Sequence, residues 1–216
     1  MKRLIVSATA LELKGLAVLP ENAGPGTLLR GEKTDFLVAG VGQAIMAYHL
    51  GCIFTEYRYD EVINIGICGS FNGDLQPGSV VTVTEDCFAD LGAEDDESWL
   101  DVFSMGLAEA DQKPFSNGVL KSDSISAFHH LKKVKGITVN RASGNEATID
   151  KIRKYYNADV ETMEGAAFYY ACLSKNIACV QVRAISNFIE KRNRNNWKIE
   201  EALNNLNEVI NKHYLK

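Results

Sequence analysis

Short β-branched runs alternate with longer stretches of helical periodicity along all 216 residues. That alternation predicts an α/β domain with a parallel or mixed sheet covered by helices. Leu4–Ala8, Asp35–Ala39, Glu61–Ile65, Ser79–Thr84, Gly136–Asn140 and Ala178–Ile185 read as strands, and Asp159–Met163 as extended. Helices are expected over Leu11–Leu19, from about Gln43 to Tyr57, over Glu146–Tyr156 and over Glu164–Ser174. The last helix is the clearest, with Ile199, Leu203, Leu206 and Ile210 spaced for one face. Gly66–Ser70 reads as a glycine-punctuated turn, and the acidic stretch to about Ser116 as an elaborate loop with one short helix. No repeat or linker interrupts the pattern, so residues 1–216 are expected to form a single domain.

Composition narrows the function classes. The net charge is −5, and ten acidic residues between Glu85 and Gln112 face no Lys or Arg in that segment, which leaves +5 on the rest. No basic stripe interleaved with aromatics results, which argues against nucleic acid as a partner. The five cysteines, Cys52, Cys68, Cys87, Cys172 and Cys179, are odd in number, and no CxxC pair occurs. Structural zinc and a disulfide framework are therefore not expected, and a reducing cytoplasm fits. Met1-Lys2-Arg3 followed by Leu4-Ile5-Val6 imitates a signal peptide, but Ser7, Thr9 and Glu12 interrupt the apolar run. No stretch of 18 apolar residues suggests a membrane span.

Familiar motifs are few. Gly40-x-Gly42 lies between a strand and a helix, but Ile45 occupies the third glycine position of a dinucleotide fingerprint, so a tight turn is the simpler reading. GxxxxGK[ST], GxSxG and HExxH are absent, and His129-His130 has no partner at useful spacing. Three polar residues sit at element ends, and one of them, Glu12, lies where α/β sheets place ligands. Glu12 follows the first strand and is either a ligand-end carboxylate or a solvated helix residue. Glu164 opens a helix, where a carboxylate also suits the dipole. Asn187 closes Arg183-Ala184-Ile185-Ser186-Asn187 and by itself could be a turn residue.

Taken in order, the segment ending at Glu12, the Asn64–Ser70 glycine segment, Ser143-Gly144, Glu161-Thr162-Met163-Glu164-Gly165-Ala166-Ala167 and Val182–Asn187 form a pattern. With these residues the chain resembles the purine nucleoside phosphorylase and nucleosidase superfamily across nearly its whole length. Within it, the sequence is most similar to the futalosine hydrolases of the menaquinone pathway. The resemblance implies a central twisted mixed β-sheet, partly closed into a barrel and flanked by helices, in a homo-oligomer. It implies that Glu12 activates water, that Glu164 binds the ribose hydroxyls and that Met163 packs on the sugar. Asn187 would meet the purine at its N7 edge, steadied by Ser186, with Ala147 and Thr148 at the base. The implied reactants are a purine nucleoside and water, with no cofactor and no metal.

The chemistry suits those residue types. Breaking a ribosyl C–N bond builds positive charge on the sugar and negative charge on the base. A carboxylate can take the water's proton, and carboxylate bonds to the hydroxyls strengthen as charge develops. Two features adjust the expectation. Adenine-cleaving relatives carry Asp at the position of Asn187, whereas an amide both accepts and donates, which suits N7–H and a ring carbonyl at position 6. Superfamily phosphorylases use arginines for phosphate, and here only Arg58 lies near the glycine segment, with Arg3 before the first strand. The reading is hydrolysis of a 6-oxopurine nucleoside, futalosine first, giving hypoxanthine and dehypoxanthinyl futalosine. Methylthioadenosine/S-adenosylhomocysteine cleavage, phosphorolysis and a non-catalytic nucleoside-binding protein stand as alternatives.

Overall fold

A computed structural model describes residues 1–96 and 98–214. Strands β1 (Arg3–Ser7), β2 (Thr27–Leu29) and β3 (Thr34–Val38) precede helix α1 (Gln43–Glu56). Strands β4 (Glu61–Ser70) and β5 (Val80–Asp86) lead to a hairpin, β6 (Gly92–Asp95) and β7 (Ser98–Asp101), and to the short β8 (Leu120–Lys121). Then come β9 (Lys132–Thr138), α2 (Glu146–Tyr156), β10 (Val160–Thr162), α3 (Gly165–Ser174), β11 (Ala178–Phe188) and α4 (Ile199–Tyr214). The main sheet runs β10-β9-β5-β11-β4-β1-β3-β2, and β10 pairs again with β4. That second pairing closes β4, β11, β5, β9 and β10 into a ring, while β1, β3 and β2 continue as an open wing. The sheet is mixed: β1, β3, β4 and β11 run parallel, and β5 is antiparallel to β11.

Alternation along the strands feeds two cores. Leu4 and Val6 of β1 pack with Met46, Leu50 and Phe54 of α1 and with Phe168 and Tyr169 of α3. Ile5 between them faces the other side, with Ile63, Ile65, Val182 and the Ala202, Leu206 and Ile210 stripe of α4. This is the two-residue period of a strand buried on both faces. The helix α1 is apolar on its outer side too, where Ile45 and Tyr48 are exposed.

Several expectations are corrected. Leu11–Leu19 is not a helix: a single 3-10 turn covers Ala10–Leu13, and Gly15 at φ +94° leaves the helical region. Gly66–Ser70 is not a turn but the second half of β4. Glycine is needed there for space, since a Cβ at Gly66 would lie 2.6 Å from Arg183 Nη1 and 2.7 Å from Glu12 Oε1. The acidic stretch holds the β6–β7 hairpin and turns, with no helix among the described residues. β9 begins and ends earlier than Gly136–Asn140, and β11 runs past Ile185 to Phe188.

Candidate active site

The carboxyl ends of β1, β3, β4 and β11, where parallel sheets expose a crevice, surround a cavity of about 270 Å³. Glu12, Met163, Glu164, Ser186 and Asn187 all line it. Another cavity of about 260 Å³ lies against the β6–β7 hairpin, lined by Asp90, Trp99 and Tyr156 among others. The first is the candidate because buried acids and a polar amide converge there.

Glu12 is held by the turn that follows β1. Its Oε2 accepts from Thr9 N at 2.9 Å and from Thr9 Oγ1 at 3.2 Å, and Oε1 accepts from Ile67 N at 3.4 Å. The residue is 8% exposed. Burial raises its pKa and Glu164 adds to that; the Thr9 and Ile67 amides and the Arg183 charge oppose the rise. Glu164 stands one residue before α3, and its Oε1 accepts from Gly42 N at 2.8 Å. Gly42, at φ +95°, caps α1 in a conformation that L-residues avoid, so the Gly40-Val41-Gly42 turn exists partly to aim this amide at Glu164. Burial pushes the Glu164 carboxyl upward as well, against the Gly42 amide and Arg183.

Asn187 owes its position to an irregularity. In the β11–β4 register Ile185 pairs with Cys68 and Asn187 with Gly69, so Ser186 is an extra residue. A bulge of this kind lets two consecutive side chains reach one cavity. Ser186 Oγ lies 3.1 Å from Cys68 O and 2.8 Å from Asn187 Oδ1, and its one proton serves either acceptor. Asn187 Nδ2 donates to Phe188 O at 2.9 Å, so the orientation of the amide is set by its neighbours.

Ala147 and Thr148 are not brought to the cavity. They lie in the first turn of α2, where Asn145 Oδ1 accepts from Thr148 N at 3.3 Å and Ala147 is exposed. The members of that loop that line the cavity are Ala142 and Ser143. Sequence reasoning also passed over Glu161, whose carboxylate accepts from Ser143 N at 2.8 Å and from Ser143 Oγ at 2.5 Å. Burial raises the Glu161 pKa, with Asp90 adding and the Ser143 bonds opposing.

Arg183 is the larger omission. It is 2% exposed, with Nη2 donating to Asn64 Oδ1 and, at 3.3 Å, to Gln181 Oε1. A lone cation inside a buried eleven-residue strand was the available signal. A cation therefore does stand beside the glycine segment, contrary to the sequence reading. Yet Glu12 shares that space, and both Glu12 and Glu164 feel the arginine's field. An anionic phosphate there would meet carboxylates. Arg3 is engaged elsewhere, 2.5 Å from Glu61 Oε1 and stacked over the Tyr214 ring. Among the described residues no three His, Cys, Asp or Glu side chains cluster as metal ligands would.

Comparison with known proteins agrees with this architecture. The chain is 29% identical to the futalosine hydrolase of Acidothermus cellulolyticus, covering 97% of this chain and 89% of the relative. It is 27% identical to the futalosine hydrolase of Thermus thermophilus, covering 96% and 92%. In fold it resembles the 5′-methylthioadenosine/S-adenosylhomocysteine nucleosidase of Neisseria meningitidis, with TM-score 0.77, 22% identity and coverage of 97% and 96%. The corresponding enzyme of Helicobacter pylori gives TM-score 0.79 at 14% identity, covering 99% and 97%. The family model of the phosphorylase superfamily matches residues 26–214, and the chain belongs to that superfamily.

Proposed function

We propose that this protein hydrolyses the N-ribosidic bond of a 6-oxopurine nucleoside, with futalosine as the preferred substrate and hypoxanthine as the released base. The observation that carries this reading is the pair of buried carboxylates, Glu12 and Glu164, lining one cavity with the Asn187 amide. Glu12 takes the proton of the attacking water. Glu164 holds the 2′- and 3′-hydroxyls, Met163 packs on the ribose, and Asn187, braced by Ser186, reads the base. The names of the relatives from Acidothermus and Thermus support the same substrate. Ala147 and Thr148, outside the cavity lining, have no part in this proposal.

The names of other relatives favour a second reading, adenine release from methylthioadenosine; a nucleosidase of Buchnera aphidicola is 26% identical over 74% of this chain. The base decides between them. Chromatography of products from inosine-like and adenosine-like substrates, with and without phosphate, is expected to show hypoxanthine released without phosphate. Release of adenine alone would overturn the substrate, and a phosphate requirement would overturn hydrolysis.

Asn187→Asp gives a sharper test. A carboxylate oxygen would replace the donor that now meets Phe188 O, and it would face the carbonyl at position 6 of the base. An unpaired buried polar group costs roughly 1–3 kcal/mol, so the hypoxanthine-over-adenine ratio of kcat/KM should fall by roughly 5- to 150-fold. An unchanged ratio would make Asn187 a turn residue with no view of the base.

The working form is proposed to be a homo-oligomer in the cytoplasm. Ile45 and Tyr48, exposed along α1, support a second copy as the cover of that face, and the five free cysteines suit a reducing compartment. Light scattering at micromolar concentration should give at least twice the 23.8 kDa chain mass. A monomer at that concentration would remove the oligomer from the proposal.

A further inference from the structure

Beneath Glu164 lies a buried carboxylate that the mechanism above does not use. Asp86 ends β5 and is 1% exposed. Its Oδ2 accepts from Gln181 Nε2 at 2.9 Å, and its Oδ1 accepts from Thr138 Oγ1 at 2.9 Å. Each partner passes the arrangement on. Gln181 Oε1 accepts from Arg183 Nη2 at 3.3 Å. Thr138 Oγ1 accepts from Ala166 N at 2.7 Å and lies 3.2 Å from Thr162 Oγ1, which accepts from Gly165 N at 3.1 Å. Two chains of donors thus end on one carboxylate: one from Arg183, the other from the first amides of α3, immediately after Glu164. Gly165 allows the close fit, since a Cβ there would collide with Asp86 Oδ2 and Gln181 Oε1.

We infer that Asp86 is a positioning residue: through Gln181 it fixes the guanidinium of Arg183 behind Glu12 and Glu164, and through Thr138 it seats the start of α3. The inference rests on the nucleosidase reading. Its logic is the polarity of an amide. An ionised carboxylate only accepts, so Gln181 must turn its NH₂ toward Asp86 and its carbonyl toward Arg183. A donor at position 86 removes that requirement. The amide can then rotate and set its NH₂ against the guanidinium, donor against donor. Burial pushes Asp86 up to about 6, opposed by the Gln181 and Thr138 bonds and by Arg183, so the carboxylate form dominates at pH 7.5. Arg183 is sensitive to the change because its Nε is buried with no hydrogen-bond partner among the described residues. Its orientation rests on the bonds to Nη2.

The test is a charge-swap cycle at pH 7.5 on the full chain, with melting temperature measured beside kinetics. Asp86→Asn should lower kcat by about tenfold with KM within about threefold of wild type, because modest misplacement of a charged group acts on the reacting geometry. Gln181→Glu should lose activity too, as two carboxylates then face each other. In the double variant the amide introduced at position 86 donates to the carboxylate introduced at position 181. That carboxylate in turn accepts from Arg183, so the original polarity returns. The kcat of the double variant should recover to within about threefold of wild type, a coupling that independent sites do not show. Wild-type kcat in Asp86→Asn, or a double variant no better than the singles, would overturn the inference and leave Asp86 a purely structural residue. Should Asp86→Asn fail to fold, recovery or loss in the double variant decides alone. A wild-type protein that releases no base would instead sink the nucleosidase reading. A crystal structure of Asp86→Asn then decides the inference: a displaced Arg183 guanidinium upholds it, and an unmoved one refutes it.

Discussion

Glu12→Gln should fold as wild type does and lose about 10²–10⁴-fold in kcat, the usual contribution of a general base. The amide keeps the shape of the carboxylate, and its oxygen can still accept from Thr9 N, now at 2.9 Å. What it cannot do is take a proton from water. The same group sets the acid limb of the pH profile. Burial places the Glu12 pKa above the usual carboxylate range, and the base acts only when ionised, so wild-type kcat should rise as pH climbs through that raised value. Stability runs the other way. A carboxyl whose pKa is raised on folding contributes stability that is full below its unfolded pKa and is lost as pH rises through the folded value. The melting temperature of Glu12→Gln should therefore gain on wild type in going from pH 4 to pH 8. Full turnover by the variant at neutral pH would return Glu12 to the role of a turn residue.

Glu164→Ala should cost at least about 10²-fold in kcat/KM, since hydrogen bonds to charged groups are worth roughly 1.5–3 kcal/mol each. The loss has two sources. The ribose hydroxyls lose the acceptor whose bonds strengthen as the sugar becomes positive. Gly42 N also loses its partner at 2.8 Å, which loosens the turn before α1. A 2′,3′-dideoxy nucleoside separates the two, because it has no hydroxyls for Glu164 to hold. It should suffer far less from the substitution than the ribonucleoside. Equal losses on both substrates would leave Glu164 with only its place before α3 and its hold on Gly42.

What the sequence made legible was what short-range pattern controls. Strand alternation, the α2 range and the single-faced stripe of α4 follow from local periodicity, and the structure has them. Five of the seven residues singled out, Glu12, Met163, Glu164, Ser186 and Asn187, meet at one cavity because they sit at element ends, which topology gathers. The remainder depended on contacts between distant segments. Gly66 looks like a turn glycine until Arg183 and Glu12 are seen to occupy the space beside it. The resemblance puts Ala147 and Thr148 at the base, but the Asn145 cap turns that stretch into the first turn of α2, outside the cavity lining. The bonds of Arg183 to Asn64 and of Glu161 to Ser143 join residues that no periodicity relates.

The place of β11 in the sheet bears on how the chain comes to be folded at all. This late strand lies between β4 and β5, pairing Ala178 with Glu61 and Gln181 with Val83. Until it arrives, two long strands near the middle of the sheet keep open edges, which invite pairing with another chain. Such distant pairing is slow, because the intervening loop must be ordered before its contacts form. During synthesis β4 and β5 therefore wait in an incomplete sheet, exposed to aggregation until β11 has emerged. Arg183, Ser186 and Asn187 enter on that same strand, so no partial fold can assemble the cavity, and the earliest trace of turnover marks a finished sheet.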